Sequence, residues 1–253
     1  MGFLTFDPIY QLRPWGGRKL ESYLHRTLPA GQVGESWDIV DRSEACSAVA
    51  KGLYRGKPLA DLLAAHREWL MGPDWPPGQP FPILVKWLDC AERLSLQVHP
   101  PADIARKLNA EPKTELWYVA QADSGAALMA GLREPMTQLQ FEQCLGSNAI
   151  EACIHRIPVR AGDALFVPSG RIHAIDAGNL ILEIQENSDT TYRVYDWGRT
   201  GLDGKPRALH IRESLLCSDF EDVRPGLVPQ AGPQDILADC SSFRVTRFRL
   251  AQG

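Results

Sequence analysis

Apolar and polar residues alternate along two well-separated stretches of the chain. In LSLQVHP, Leu94, Leu96 and Val98 alternate with Ser95, Gln97 and His99. Further on, Leu180, Leu182 and Ile184 alternate with a set that includes Glu183, Gln185 and Asn187. Successive side chains of a strand point to opposite faces, so each stretch predicts a strand with one apolar and one polar face. A face in open solvent usually carries long Lys and Glu. Ser, Gln, His and Asn on two separate strands predict a polar barrel interior instead. Between Ile154 and Tyr195 strand-like segments recur about every ten residues, with turns at Arg160–Asp163, Pro168–Gly170 and Asp176–Asn179. That rhythm predicts an antiparallel sandwich or barrel.

Helices are few. Leu59 to Leu70 carries Leu59, Leu62, Leu63, His66 and Leu70 on one helical face, and Gly72-Pro73 ends it. Shorter helices are predicted over Ala102 to Leu108 and Ile211 to Ser218. Phe3 to Tyr10 reads as an opening strand, with a turn at Pro14-Trp15-Gly16-Gly17. Phe81 to Val98 reads as two strands parted near Glu92-Arg93. Phe243 to Leu250 reads as a final strand with little chain after it to pair with. The 253 residues are read as one domain, with a helical insertion at about 57–72 and a C-terminal segment at 220–253.

Composition narrows the class. Hydrophobic and charged fractions of 44% and 23% are those of an ordinary globular protein. A net charge of -4 without a Lys/Arg block argues against a nucleic-acid partner, although a local basic cluster could hold a small anion. No apolar run approaches the roughly 20 residues that span a bilayer, and Asp7, Arg13, Arg18 and Lys19 break any signal-peptide core, so no membrane role is expected. The six cysteines form no C-x-x-C pair, which argues for reduced thiols in the cytoplasm.

The chemistry converges on a metal. Gln97 and His99, two apart on a strand, share a face and can reach one ion. Glu115 lies in the strand-like run KTELWYV, and His173 follows Gly170 closely. Imidazoles, a carboxylate and an amide oxygen suit Zn²⁺, with Mn²⁺, Fe²⁺ or Co²⁺ as substitutes. Gln97 is the least secure member, because an amide behind the ligands would have the same spacing. His25, His66, His155 and His210 have no partner at a telling offset and are read as ordinary histidines.

Gly162-x5-Pro168-x-Gly170-x2-His173 resembles the second conserved cupin motif, with Ala177 where an Asn is usual. The first cupin motif, His-x-His followed closely by Glu, is altered: Gln97 replaces the first His, and Glu115 comes sixteen residues after His99. With QVHP at 97–100, KTELWY at 113–118, PSGRIHA at 168–174 and NSDTTYRVYD at 187–196, the chain resembles the type I mannose-6-phosphate isomerases, in particular their short bacterial form. RPWGGR at 13–18 and GESW at 34–37 flank these blocks, and the likeness runs over about residues 5–220.

The resemblance implies a double-stranded β-barrel (cupin, jelly-roll) fold and one zinc per chain on Gln97, His99, Glu115 and His173. It puts Arg193 in the catalytic role, with Lys113 and Glu183 in the active site and Ser95 beside the substrate phosphate. The implied reaction interconverts mannose 6-phosphate and fructose 6-phosphate through a cis-enediol, with Glu183 the first candidate for the base. An ion pair of Arg193 with Asp189 or Asp196 is the plain structural alternative. Trp15, Trp37 and Trp117 are expected to pack the barrel. A monomer or weak homodimer is expected. Family members commonly continue into a further C-terminal β segment, so residues after about 220 are expected to be a shortened version of it. Two rival readings are a non-catalytic metal cupin that senses a sugar phosphate and a cupin oxygenase, which would consume O₂.

Overall fold

The computed structural model describes residues 3–147, 149–230 and 232–250. In chain order its elements are β1 (Ile9–Gly17), α1 (Lys19–Leu24), β2 (Val33–Ile39), α2 (Leu59–Met71), β3 (Ile83–Cys90), β4 (Leu96–Val98), α3 (Ala102–Leu108), β5 (Glu115–Ala122), β6 (Ala127–Leu132), α4 (Gln138–Gly146), α5 (Ile150–Cys153), β7 (Ile154–Pro158), β8 (Ala164–Val167), β9 (His173–Ile175), β10 (Asn179–Glu186), β11 (Tyr192–Tyr195), α6 (Ile211–Cys217), β12 (Gln234–Asp239) and β13 (Arg244–Phe248). The strands form a six-stranded sheet, β1-β2-β3-β10-β5-β8, a five-stranded sheet, β11-β4-β9-β6-β7, and the hairpin β12-β13. All strand pairings in these sheets are antiparallel. This is the mainly β, antiparallel arrangement that the strand rhythm predicts, and it is consistent with the cupin-like fold that the resemblance implies.

One apolar cluster joins the two large sheets. Leu88, Trp117, Val119, Leu165 and Ile181 of the first meet Leu128, Ala130, Ile157 and Ile175 of the second. The outward faces are also covered. Leu96 and Val98 of β4 pack with Met129, Phe141, Ile150 and Cys217. Leu180 of β10 packs with Leu20, Leu28 and Val33, and Ile184 packs near Leu237 of the hairpin. Because helices and hairpin shield the apolar faces, the polar faces of β4 and β10 turn inward. Gln185 and Glu183 are 0% and 3% exposed, more buried than Leu182 and Ile184 on the opposite face. The cavity reading of the alternating pattern therefore holds.

Helices α2 and α3 fall where the sequence predicts them, with Leu59, Leu62 and Leu63 buried. Helix α6 ends at Cys217, one residue short of the expected Ser218. Gly162, Gly170 and Gly178 supply left-handed φ values of 93°, 90° and 89° at the three predicted turns. The chain start differs. The first regular strand is β1, and Pro14-Trp15-Gly16-Gly17 lies inside it rather than forming a turn. Register shifts between Gln11 and Gly17 accommodate the proline and glycines as an irregular edge. The last strand differs too: β13 pairs backwards with β12, over residues where no strand is predicted. No helix among the described residues is long and apolar enough to cross a membrane.

Candidate metal centre and active-site cavity

Strand register lines up the polar residues in two rows. In the five-stranded sheet Arg193 of β11 is opposite Gln97 of β4, and Gln97 is opposite His173 of β9. In the six-stranded sheet Trp37, Lys86, Glu183 and Trp117 are successive neighbours across β2, β3, β10 and β5. Directly opposed side chains in antiparallel strands stand about 5 Å apart, so each row places its side chains side by side. The two rows bound one cavity of about 590 Å³, whose lining includes Ser95, Gln97, Lys113, Glu115, His173, Glu183 and Arg193.

At the centre, His99, Glu115 and His173 each offer a ligand atom, all within 4.8 Å of one another and all on buried residues. The imidazole Nε2 atoms of His99 and His173 lie 3.5 Å and 3.6 Å from the two carboxylate oxygens of Glu115. Their ring centroids are 4.7 Å apart. Each Nδ1 faces a backbone carbonyl, Thr190 O at 2.9 Å from His99 and Arg171 O at 2.8 Å from His173. Only Nδ1–H can donate there, so each ring presents an unprotonated Nε2 to the centre. Burial, reinforced by the charge of Lys113, pushes the His99 pKa down to about 3, against the pull of Glu115. Burial likewise lowers that of His173. Burial would raise the Glu115 pKa, but the Lys113 ammonium beside it holds it well below the usual carboxylate range. Two neutral imidazoles and an ionised carboxylate are the protonation states that a divalent cation requires. A cationic nitrogen already contacts these donors: Lys113 Nζ lies 2.7 Å from Glu115 and 3.2 Å from His99 Nε2. The residues therefore fit a metal ion.

Gln97 turns its amide nitrogen to Ser95 Oγ at 3.2 Å, which leaves its carbonyl oxygen as the remaining polar atom. Ser95 is almost fully buried beside it. Glu183 is held from several sides, by Lys86 Nζ at 3.1 Å, Lys113 Nζ at 3.5 Å and the Trp117 indole N–H at 3.0 Å. Burial, with the nearby Glu115 charge, raises the Glu183 pKa despite the two lysines. Arg193 does not pair with Asp189 or Asp196. Its Nη1 donates to Ala208 O at 2.8 Å, and its buried Nε has no hydrogen-bond partner. Asp196 pairs instead with Arg207 and with Arg199. Burial and the repulsion of Arg207 and Arg199 lower the Arg193 pKa from its ordinary value, against the pull of Asp196.

Several participants escape the sequence reading. Lys86 bridges Glu183 to Glu35, 3.8 Å away, and Glu35 in turn takes hydrogen bonds from Arg13 at 2.7 Å and the Trp37 indole at 2.7 Å. An alternating chain of charges thus runs Arg13–Glu35–Lys86–Glu183–Lys113–Glu115. Trp37 and Trp117 pack as expected but also donate their N–H groups to carboxylates. His210, read as ordinary, accepts the Arg193 backbone N–H at 3.0 Å and so fixes that strand. The available signal was a lone Lys or Glu inside an apolar strand, as in ILVKWLDC and VGESWDI.

Residues 3–118 match the family model for the catalytic domain of type I phosphomannose isomerase. The chain is 39% identical over 256 residues to the probable mannose-6-phosphate isomerase GmuF of Bacillus subtilis (strain 168), which spans 98% of this chain and 80% of that protein. It is 42% identical over 202 residues to a mannose-6-phosphate isomerase of Streptococcus mutans, spanning 79% of this chain and 63% of that one. Among solved structures, the mannose 6-phosphate isomerase of Bacillus subtilis superposes with a TM-score of 0.88 at 30% identity, covering 98% of this chain and 80% of that one.

Proposed function

Because this chain belongs to the type I phosphomannose isomerase family, we propose that His99, Glu115, His173 and Gln97 hold one zinc ion and that Arg193, Glu183 and Lys113 act on a sugar phosphate bound beside it. The protein is a metal-dependent aldose–ketose isomerase that interconverts mannose 6-phosphate and fructose 6-phosphate. One observation carries the site assignment: three metal-type donors meet within 4.8 Å, and two of them, Glu115 and His173, line the same cavity as Glu183 and Arg193. At about 590 Å³ that cavity suits a single small ligand.

Isomerisation moves one proton between C1 and C2 of the opened sugar and leaves transient negative charge on the two oxygens. When bound, zinc supplies Lewis-acid polarisation of those oxygens. Arg193 keeps its charge at any working pH and offers an unpartnered Nε–H, so it can stabilise the developing anion. Glu183 has a raised pKa, the property a carboxylate needs to take a proton and give it back near neutral pH. Lys113, between Glu183 and Glu115, couples the base to the ligand shell and offers N–H donors to sugar hydroxyls. Ser95, buried near Gln97, is suited to a hydroxyl or phosphate oxygen. The described cysteines are all free, which supports a reducing, cytoplasmic setting. The partner is then a small sugar phosphate, met by a monomer or weak homodimer.

A coupled assay with mannose 6-phosphate tests this. Chelation should abolish turnover, and added zinc should restore it better than manganese or cobalt. Full activity after verified metal removal, or O₂ consumption during turnover, would rule the reading out.

A further inference from the structure

One short turn, residues 168–171 between β8 and β9, holds the backbone of one metal-centre histidine and the imidazole of the other. Gly170 N donates to His99 O at 2.9 Å, and Arg171 O faces His173 Nδ1 at 2.8 Å. The turn is therefore the common backbone neighbour of two ligands that lie far apart in sequence. Something must hold it. Gly170 O accepts the Asp219 N–H at 2.8 Å. The stronger tie is through a side chain. The Arg171 guanidinium grips Asp222 with two parallel bonds, Nε to Oδ2 at 2.8 Å and Nη2 to Oδ1 at 2.9 Å, and its Nη1 donates to Phe166 O at 2.6 Å. The two side chains are only 14% and 15% exposed. Asp222 is itself anchored: its carbonyl accepts the Leu132 N–H at 2.8 Å, and Arg224 N donates back to Leu132 O at 2.9 Å, at the end of β6.

We propose that Arg171 and Asp222 are positioning residues for the metal centre, a clamp that sets the carbonyl orienting His173 and the amide bound to His99. The inference rests on the metal-site reading above. A forked guanidinium–carboxylate pair fixes both distance and direction, which a lysine could not do. Groups that orient a ligating histidine typically govern metal affinity by about 10- to 100-fold, although they never touch the ion. The surrounding geometry gives the pair that leverage, since the constrained carbonyl is one bond away from the imidazole it orients.

The test measures zinc affinity of the metal-stripped full chain by chelator competition, and the visible absorption of its Co²⁺ form. Arg171→Ala and Asp222→Ala should each lower affinity about 10- to 100-fold and shift the Co²⁺ bands. The double variant should lose little more than the worse single one, because both cut the same tie. Arg171→Lys, which keeps the charge but not the fork, should recover only part. A matched control is Arg247→Ala, which breaks a similarly buried pair with Asp235 (2.6 Å) remote from the centre. It should lower stability yet leave metal affinity within about twofold. If Arg171→Ala does not fold, Asp222→Asn gives the same readout at nearly unchanged volume. Variants that are less stable but bind zinc like the parent, with unshifted Co²⁺ spectra, would make the pair merely structural and overturn the proposal. A parent chain that binds neither ion would overturn the metal reading as well.

Discussion

Glu183 shows how much a single residue's role depends on its surroundings. On β10 it is one of the residues of a polar face; in the fold it faces two ammonium groups, an indole N–H and a second carboxylate. Burial and Glu115 push its proton affinity up, and Lys86 and Lys113 pull against that rise. Glu183→Gln preserves size and the indole contact but removes the basic oxygen. It should cut kcat about 10²- to 10⁴-fold while bound zinc, measured on the purified protein, stays near one per chain. Near-normal turnover with metal in place would remove Glu183 as the proton carrier. His99, Glu115 and His173 were legible beforehand because ligand types at strand parity and beside a Pro-x-Gly turn form a recognisable set. Lys86 and Glu35 were not, because a charge within a strand reveals nothing of the partner that neutralises it.

At the level of elements, β1 and β2 show backbone packing too close for side chains. A Cβ on Gly16 would stand 2.4 Å from Gly34 N and 2.5 Å from Val33 C, both fixed backbone atoms of the neighbouring strand. Gly16→Ala must push the two strands apart. A loss of about 1–3 kcal/mol is expected, read as a lower urea midpoint at unchanged m-value. Since β1 and β2 carry Arg13 and Glu35 of the charge chain, kcat should fall with stability; an unchanged midpoint would show that the close approach is not rigid. The strand alternation in β4 and β10 was plain in the sequence, as were α2, α3 and the glycine turns. The tract PWGG looked like a turn because proline and glycine usually break strands; here they form an irregular strand edge. The partner of β13 was hidden because cross-strand pairing is non-local.

For the whole molecule, the charge chain links stability to pH through Glu35. Burial would raise its pKa, but Lys86, Arg13 and the Trp37 indole N–H overcome that and hold it at about 2. A folded-state pKa below the ordinary value of 4.5 means that this carboxylate stabilises the fold fully above about pH 4.5. The contribution disappears as pH falls towards 2. The shift corresponds to about 3 kcal/mol. Glu35→Gln should therefore be less stable than the parent at pH 7, and the gap in urea midpoint should narrow between about pH 4.5 and pH 3. A gap that does not change with pH would show that Glu35 acts by packing alone. The amino-acid sequence by itself determined the antiparallel strand pattern, the inward polar faces and the identity of the metal-type donors. These follow from side-chain parity and residue chemistry, which are local. Only the tertiary structure decided which charges neutralise one another, how Arg193 is left unpaired, and which distant carboxylate clamps the turn between the two imidazoles. Those outcomes depend on strand register across two sheets, a long-range quantity that no short stretch of chain encodes.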